Sequence, residues 1–473
     1  MATPSLAEFE QSFYHLKRQG TTNNPKTVTV LVIAWEPRNQ STPLTNGIAL
    51  DQLIFGRTNS VAHYFQEVSQ GRFNIVPFAP RPVVGPFKSV QPAEFYSRLP
   101  PFAPPTNPTD PNYYLDRTGE FSGGPTRANT LCYLDSDGFV DGYMHSWKEA
   151  IQLASAQGGV NFTLLDHDGD GEFSPDDGVV LIVKPWTAEG GYHREVWQSQ
   201  IPKKTLTVNN VRIKQITEVY ANPQPNYSDG IMAVIIEELL HALVRYIDQY
   251  PDGKVRLDND PRRPGQYSIS DAGWLPVHVD PFHKLKWGWL NPQLVTTSGS
   301  YQLREAAMTG DALILFGHKG TKEFFILENR FRGASFDRFR NPICGDGLAL
   351  WDCIQDENLT IDWGRRALHL KRADPRLDIN GLVQDDLALF DGTDPSRSYE
   401  LYDDSYPQNL RFDDHQESSI CIAKVSAAGP SMTVTIKMGK RRPEPNVSAA
   451  AWLSLLLAPE PTKGSTAAWL SLL

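Results

Sequence analysis

Four cysteines in 473 residues are few, and Cys132, Cys344, Cys353 and Cys421 contain no Cys-x-x-Cys pair. That spacing encodes neither a disulfide framework nor a thiolate zinc site. Cys344 and Cys353 are near enough in sequence to bridge, with ordinary thiols as the alternative. Long apolar runs are also lacking: no stretch reaches the roughly 18 residues of a membrane span. Residues 1–20 mix charged and apolar side chains without an apolar signal core, so no signal peptide is visible. Cations are in deficit, with Lys plus Arg at 45 against Asp plus Glu at 55 and a formal net charge of −10. The basic blocks are no longer than Lys440-Arg441-Arg442, which excludes a nucleic-acid partner that needs clustered cations along phosphates.

What remains is an ordinary globular composition, 40% hydrophobic and 11% aromatic, in a chain long enough for two or three domains. Thr27–Ala34 is a β-branched apolar run that reads as a buried strand. Asn59–Ser69 carries Val61, Tyr64, Phe65 and Val68 at helical spacing and ends at Gly71, a left-handed cap. Residues 78–126, rich in Pro, Tyr and Gly, read as a long loop region. Ser146-Trp147-Lys148-Glu149 reads as a capping box opening a helix. Val179–Lys184 reads as a strand.

After Pro292 the pattern becomes short strands: Leu313–Gly317, Glu323–Glu328, Leu348–Asp352, Ser419–Val425 and Ser431–Met438. The division is therefore an extension (1–26), an α/β domain (27–295), a β-rich domain (296–440) and a tail (441–473). The tail repeats Ala-Ala-Trp-Leu-Ser-Leu-Leu at 450–456 and 467–473.

The chemistry concentrates in Glu237-Glu238-Leu239-Leu240-His241, within the apolar run Ile231–Val244. Two imidazoles one helical turn apart with an intervening Glu make a zinc-protease helix: the imidazoles hold the metal and the Glu activates its water. Here the first imidazole is Glu237, while the base Glu238 and the second imidazole His241 remain. On a helical wheel Glu237, Glu238, His241, Arg245 and Asp248 share one arc of about 100°. Two readings compete. Glu237 and His241 ligate zinc while Glu238 acts as the base, or Glu237, His241 and Arg245 form an ion-pair ladder without metal. Val244 resists the positive φ that would swing a third ligand back. In a continuing helix Asp248 faces the right way but lies about 10 Å further along the axis than His241, beyond reach of the same metal. His278 and His283 are candidates for replacing it, with partly buried structural histidines as the bland alternative.

A second cation site is written at Asp166-His167-Asp168-Gly169-Asp170-Gly171. Asp166, Asp168, Asp170, Glu172, Ser174 and Asp177 occupy calcium-loop positions 1, 3, 5, 7, 9 and 12 around the turn at Gly171. Asp at the last position shortens the bidentate reach. Asp135, Asp137 and Asp141 make a shorter relative that reads as a plain turn. Five Asn-x-Ser/Thr sequons (Asn39, Asn161, Asn226, Asn358, Asn446) are compatible with secretion but common by chance.

With these residues in view, the chain resembles the immune inhibitor A family of zinc metallopeptidases. The likeness runs in order through Val28–Ile33, Ser60–Phe73, Asp166–Gly171 with Val179–Val183, and Pro276–Leu290 with Lys284 and Gly288-Trp289-Leu290. It continues through Glu323–Arg330 with Gly347–Trp351 and ends in Ile420–Ile436, so it covers about 27–438. The resemblance implies an α+β fold: a zincin-like metallopeptidase domain with a mixed sheet and a long active-site helix, then a β-rich, sandwich-like C-terminal domain. It implies peptide-bond hydrolysis, a protein or peptide partner, and a mostly secreted family. Zinc ligation falls on Glu237 and His241 and the base on Glu238. The family's following Gly and Asp fall on Val244 and Ile247, which cannot serve. The expectation is a metallopeptidase homologue with weakened or lost activity. The alternative is a calcium-stabilised pseudo-peptidase that binds rather than cuts.

Overall fold

The computed structural model describes residues 19–40, 44, 49–79, 81–93, 96, 113–114, 132–133, 142–185, 194–196, 206–221, 228–246, 263–272, 275–317, 319–333, 336, 343–354, 368–374, 384–394, 410, 412, 416 and 418–439. Over these residues the fold is mixed α+β, with several sheets and seven α-helices. Asp248, the Asp135–Asp141 turn, the sequons at Asn226, Asn358 and Asn446, and the tail repeats lie outside the described residues.

The first sheet is built on β1 (Lys26–Glu36). Along one edge β1 pairs in parallel first with β2 (Phe73–Pro77) and then with β3 (Val83–Lys88). On the other edge it pairs in parallel with β4 (Gly178–Pro185). The edge strand β5 (Arg194–Val196) runs antiparallel to β6 (Ile216–Ala221), which pairs in parallel with β4. Parallel strands covered on both faces need apolar residues at every position. The wholly buried β4 and the run Val28–Trp35 meet that demand.

Alternation then sorts side chains between two cores. Val28, Val30 and Val32 face α1 (Leu50–Phe55), α2 (Val61–Val68) and the long helix described below. Leu31, Ile33 and Trp35 face α3 (Gly142–Ala156) through Trp147, Ile151 and Ala154.

One local expectation is corrected. The helix expected to open at Ser146 begins at Gly142, so Ser146 lies inside it and is no cap. Its hydroxyl instead meets the buried Lys184 amine at 2.5 Å, and Glu149 accepts from Val90 N at 2.6 Å and from the Tyr96 hydroxyl. Tertiary partners took both groups of the motif. The left-handed turn expected at Gly71 is present at φ +73°, and Gln70 before it is left-handed as well, at φ +57°.

The helix α4 (Ser228–Val244) lies against β6, β5 and β4. It is followed by α5 (Ile269–Ala272) and α6 (Pro281–Trp287). Asp280 caps α6 by accepting from His283 N at 3.0 Å, Pro281 opens it, and Gly288 at φ +74° closes it.

A second sheet joins β7 (Asn291–Val295), β9 (Asp311–Leu315), β10 (Glu323–Arg330), β11 (Gly347–Ile354) and β12 (Leu368–Lys371). The third joins β8 (Gly299–Arg304), β14 (Ser431–Met438) and β13 (Ile420–Val425). The last helix, α7 (Ala306–Thr309), lies between β8 and β9. Leu313, Phe325, Leu350, Ile422 and Val434 fill the space between these two sheets. The other face of the second sheet, with Ile314, Ile326, Ala349 and Trp351, belongs to the same core as α4 and α6. Apolar packing therefore runs across residue 295. Cys344 and Cys353 are separate thiols and form no bridge.

Candidate functional site

An apolar run with almost no polar face makes a buried helix, and α4 is buried from Ile231 to Leu240. Glu237 and Glu238 are only 2% and 3% exposed, and His241 is half-buried. The helix stops at Val244. The left-handed turn that Val resists is displaced by one residue onto Arg245, at φ +56°. Tyr246 N then donates to Leu240 O at 3.2 Å, Arg245 N to His241 O at 3.1 Å, and Trp287 Nε1 caps Val244 O at 2.9 Å.

This ending overturns the single polar stripe. Arg245 leaves the helical arc, its side chain is exposed, and it forms no ion pair among the described residues. The ladder through Arg245 is therefore not realised. His241 Nδ1 instead lies 2.8 Å from Tyr246 O. A carbonyl only accepts, so Nδ1 carries the proton and Nε2 is the basic nitrogen.

The two proposed replacement histidines are fully buried rather than partly so. Nε2 of His278 meets Glu67 Oε1 at 2.7 Å and its Nδ1 meets Lys284 Nζ at 3.0 Å, so both nitrogens are engaged in structure. His283 lies closer to the helix end. Its Nδ1 is 2.9 Å from Asp280 Oδ2, while Nε2 is buried without a hydrogen-bond partner. Burial pushes this imidazole below its ordinary range, and the Asp280 charge does not recover it. Burial alone would raise the Asp280 carboxyl, but the His283 interaction and the His283 and Ser268 hydrogen bonds outweigh it and hold it low. The dyad is thus a neutral imidazole on an ionised carboxylate.

Around it, Tyr246 Oη lies 2.9 Å from Ser268 Oγ and 3.3 Å from Asp280 Oδ2, and accepts from Ser270 N at 3.0 Å. Neighbouring Lys286 is brought down to about 8 by burial and by the Arg245 charge.

A zinc-protease centre needs three protein donors converging on one point. Among the described residues, no third His, Cys, Asp or Glu donor gathers with Glu237 and His241. Asp280, the carboxylate of this network, is committed to His283, Ser268 and Tyr246. Among the described residues, the donor set that a catalytic zinc needs is not gathered.

The acidic loop does gather a set. Carboxylate oxygens of Asp166, Asp168 and Asp177 lie within 4.8 Å of one another. Gly169 at φ +75° and Gly171 at φ +83° wrap the backbone around Asp166, which accepts from Gly169 N at 2.8 Å and Gly171 N at 2.9 Å. Asp177 accepts from His167 N at 2.9 Å and Ser174 N at 3.0 Å. The Asp170 N–H draws the Asp168 carboxyl down. Desolvation and the charges of Asp170 and Asp177 outweigh it and leave Asp168 above its ordinary value.

Asp170 and Glu172 stand apart from the expected ligand set. Asp170 Oδ1 caps Glu172 N at 2.8 Å, and the Glu172 carboxylate turns to Lys214 at 2.8 Å and Arg212 at 3.3 Å. Its carbonyl is still on the loop side, because the neighbouring strand bonds to Gly171 O and Phe173 O.

Sequence reasoning missed Tyr246, Ser268, Ser270 and the role of Asp280. The Asp280-Pro281 pair is a helix-start signal that could have exposed the last. It also missed the buried Lys184–Glu218 pair, where Glu218 receives the Lys184 amine and the Trp147 indole N–H.

No family model matches the chain, and no curated protein does. Among solved structures, wild-type OgpA from Akkermansia muciniphila is similar at 10% identity and a TM-score of 0.26, over 67% of this chain and 75% of that one. A likeness at that level carries no argument.

Proposed function

We propose that this protein is a pseudo-peptidase: a homologue of the immune inhibitor A metallopeptidases on a zincin-like scaffold that binds a protein or peptide without cutting it. One observation carries the reading: α4 ends at Val244, and no third donor meets Glu237 and His241 among the described residues. Glu238 then has no metal-bound water to activate. The mixed sheet with α4 against it is the arrangement a zincin-like domain calls for.

The edge strand β5 beside α4 has an outer edge with no partner strand among the described residues, which suits addition of an extended peptide as a further strand. Calcium is the cation that suits the Asp166–Asp177 loop, whose donors are hard oxygens.

The test is metal analysis and casein hydrolysis on full-length protein purified without chelator, with Glu238→Gln and Glu237→His alongside. Substoichiometric zinc and no hydrolysis above the Glu238→Gln background are expected. Stoichiometric zinc with hydrolysis lost in Glu238→Gln would sink the reading in favour of a working, weakened peptidase.

A further inference from the structure

A bound metal does more than chemistry: it ties together the chain segments that supply its ligands, and that binding energy becomes folding energy. If α4 carries no zinc, its end must be held to the following segments in another way. This inference rests on the pseudo-peptidase reading. We propose that Tyr246 is that tie, its backbone holding His241 and its phenol holding the Ser268–Ser270 turn and the Asp280 cap of α6.

The geometry is explicit. Tyr246 is the second residue after α4 and is 1% exposed. Its carbonyl takes the His241 Nδ1–H at 2.8 Å, so the last functional side chain of the helix is fixed to the turn that follows. Its hydroxyl lies 2.9 Å from Ser268 Oγ and 3.3 Å from Asp280 Oδ2, and accepts the Ser270 N–H at 3.0 Å. Ser268 Oγ is also 3.1 Å from Asp280 Oδ2 and 2.9 Å from Ser270 Oγ, which closes the network.

The ring stands edge-on to His283, with centroids 4.5 Å apart, and lies 5.7 Å from Trp287, which caps Val244 O. One side chain thus touches the end of α4, the start of α5, and both ends of α6. Burial and the Asp280 charge hold the phenol far above its ordinary range, so it stays protonated. The Asp280 carboxylate is engaged by this network through Tyr246, Ser268 and His283. A buried polar network of this kind also fixes one arrangement, because each member leaves a costly orphan if another is removed.

The experiment uses the full chain, Tyr246→Phe and the milder Ser270→Ala. Thermal unfolding is followed with and without 1,10-phenanthroline, and amide hydrogen exchange is read over residues 238–246 and 266–284. Tyr246→Phe is expected to lower the unfolding midpoint by about 3 °C or more and to speed exchange at the Ser270 amide about tenfold or more. Phenanthroline should leave the unmodified chain unchanged. Ser270→Ala should keep the protected Ser270 amide, since that bond is made by its backbone.

A Tyr246→Phe protein with unaltered midpoint and exchange overturns the proposal. So does a phenanthroline effect on the unmodified chain as large as that of the substitution. Should Tyr246→Phe fail to fold, slow exchange at the Ser270 amide of the unmodified chain supports the tie, and fast exchange there overturns it. The two readings can fail separately. Zinc in the purified protein with a destabilised Tyr246→Phe removes the pseudo-peptidase reading and keeps the tie, whereas no zinc and an inert substitution does the reverse.

Discussion

Nδ1 of His283 lies 2.9 Å from Oδ2 of Asp280, one helical turn back along the chain, and neither side chain reaches solvent. Asp280 does three jobs at once: it caps α6, orients the imidazole and receives Ser268. Dry surroundings hold His283 neutral, while an exposed histidine takes up a proton near pH 6.5.

This sets the sign of a pH dependence. The folded-state value of His283 is depressed, so the unfolded chain binds its proton first, and stability falls as pH drops below about 6.5. Asp280, also depressed, acts in the same direction but only at lower pH, below about 3.9. Denaturant titrations between pH 7.5 and 5 should show a loss of up to about 1.4 kcal/mol per pH unit from this imidazole. His283→Gln should flatten that segment; an unchanged slope would show that another group is responsible.

The Lys184–Glu218 pair is buried between the neighbouring strands β4 and β6, with the Lys184 amine 5.1 Å from the Trp35 ring centroid and 5.7 Å from that of Tyr220. Removing one partner strands a charge. Lys184→Met should therefore cost about 3–5 kcal/mol, whereas Lys184→Met with Glu218→Leu should recover most of it. Chemical denaturation of the two singles and the double gives the coupling, and strict additivity would contradict a functional ion pair there.

In the acidic loop the structure separates the gathered carboxylates of Asp166, Asp168 and Asp177 from those of Asp170 and Glu172. Terbium luminescence and calcium-induced thermal stabilisation should be lost in Asp166→Asn and Asp177→Asn. Glu172→Gln should keep both, because its carboxylate is occupied by Lys214 and Arg212. Equal loss in Glu172→Gln would mean that the side chain swings to the ion.

Gly178 opens β4 directly after Asp177. A Cβ there would sit 1.8 Å from Thr29 O, a backbone atom of the adjacent strand with nowhere to move. Gly178→Ala should destabilise strongly, by more than about 2 kcal/mol, read as a lower unfolding midpoint. A value near zero would imply that the β1–β4 pairing shifts freely.

The fold was legible where one physical pattern dominated. Continuous apolar runs gave β1 and β4, helical spacing gave α2, and the apolar stretch Ile231–Val244 gave the body of α4. Tertiary competition hid the rest. Ser146 and Glu149 spell a cap, yet Lys184 and Tyr96 took them. The helical wheel assumed that the helix runs past Val244, and a left-handed Arg245 removed the residue on which the ion-pair ladder depended. At the acidic loop, spacing supplied Asp166, Asp168 and Asp177 but could not know that Lys214 and Arg212 would claim Glu172. Tyr246 left no signal, because the partners of its hydroxyl, Ser268, Ser270 and Asp280, come from positions up to 34 residues away.

The shared packing across residue 295 bears on how this molecule comes apart. A fragment ending there would leave α4 and α6 without Ile314, Ile326 and Trp351, and so with a bare apolar flank. Cutting the chain at the point where its sequence character changes would yield a sticky half rather than a smaller protein. The described α/β and β-rich parts should then melt in one cooperative transition.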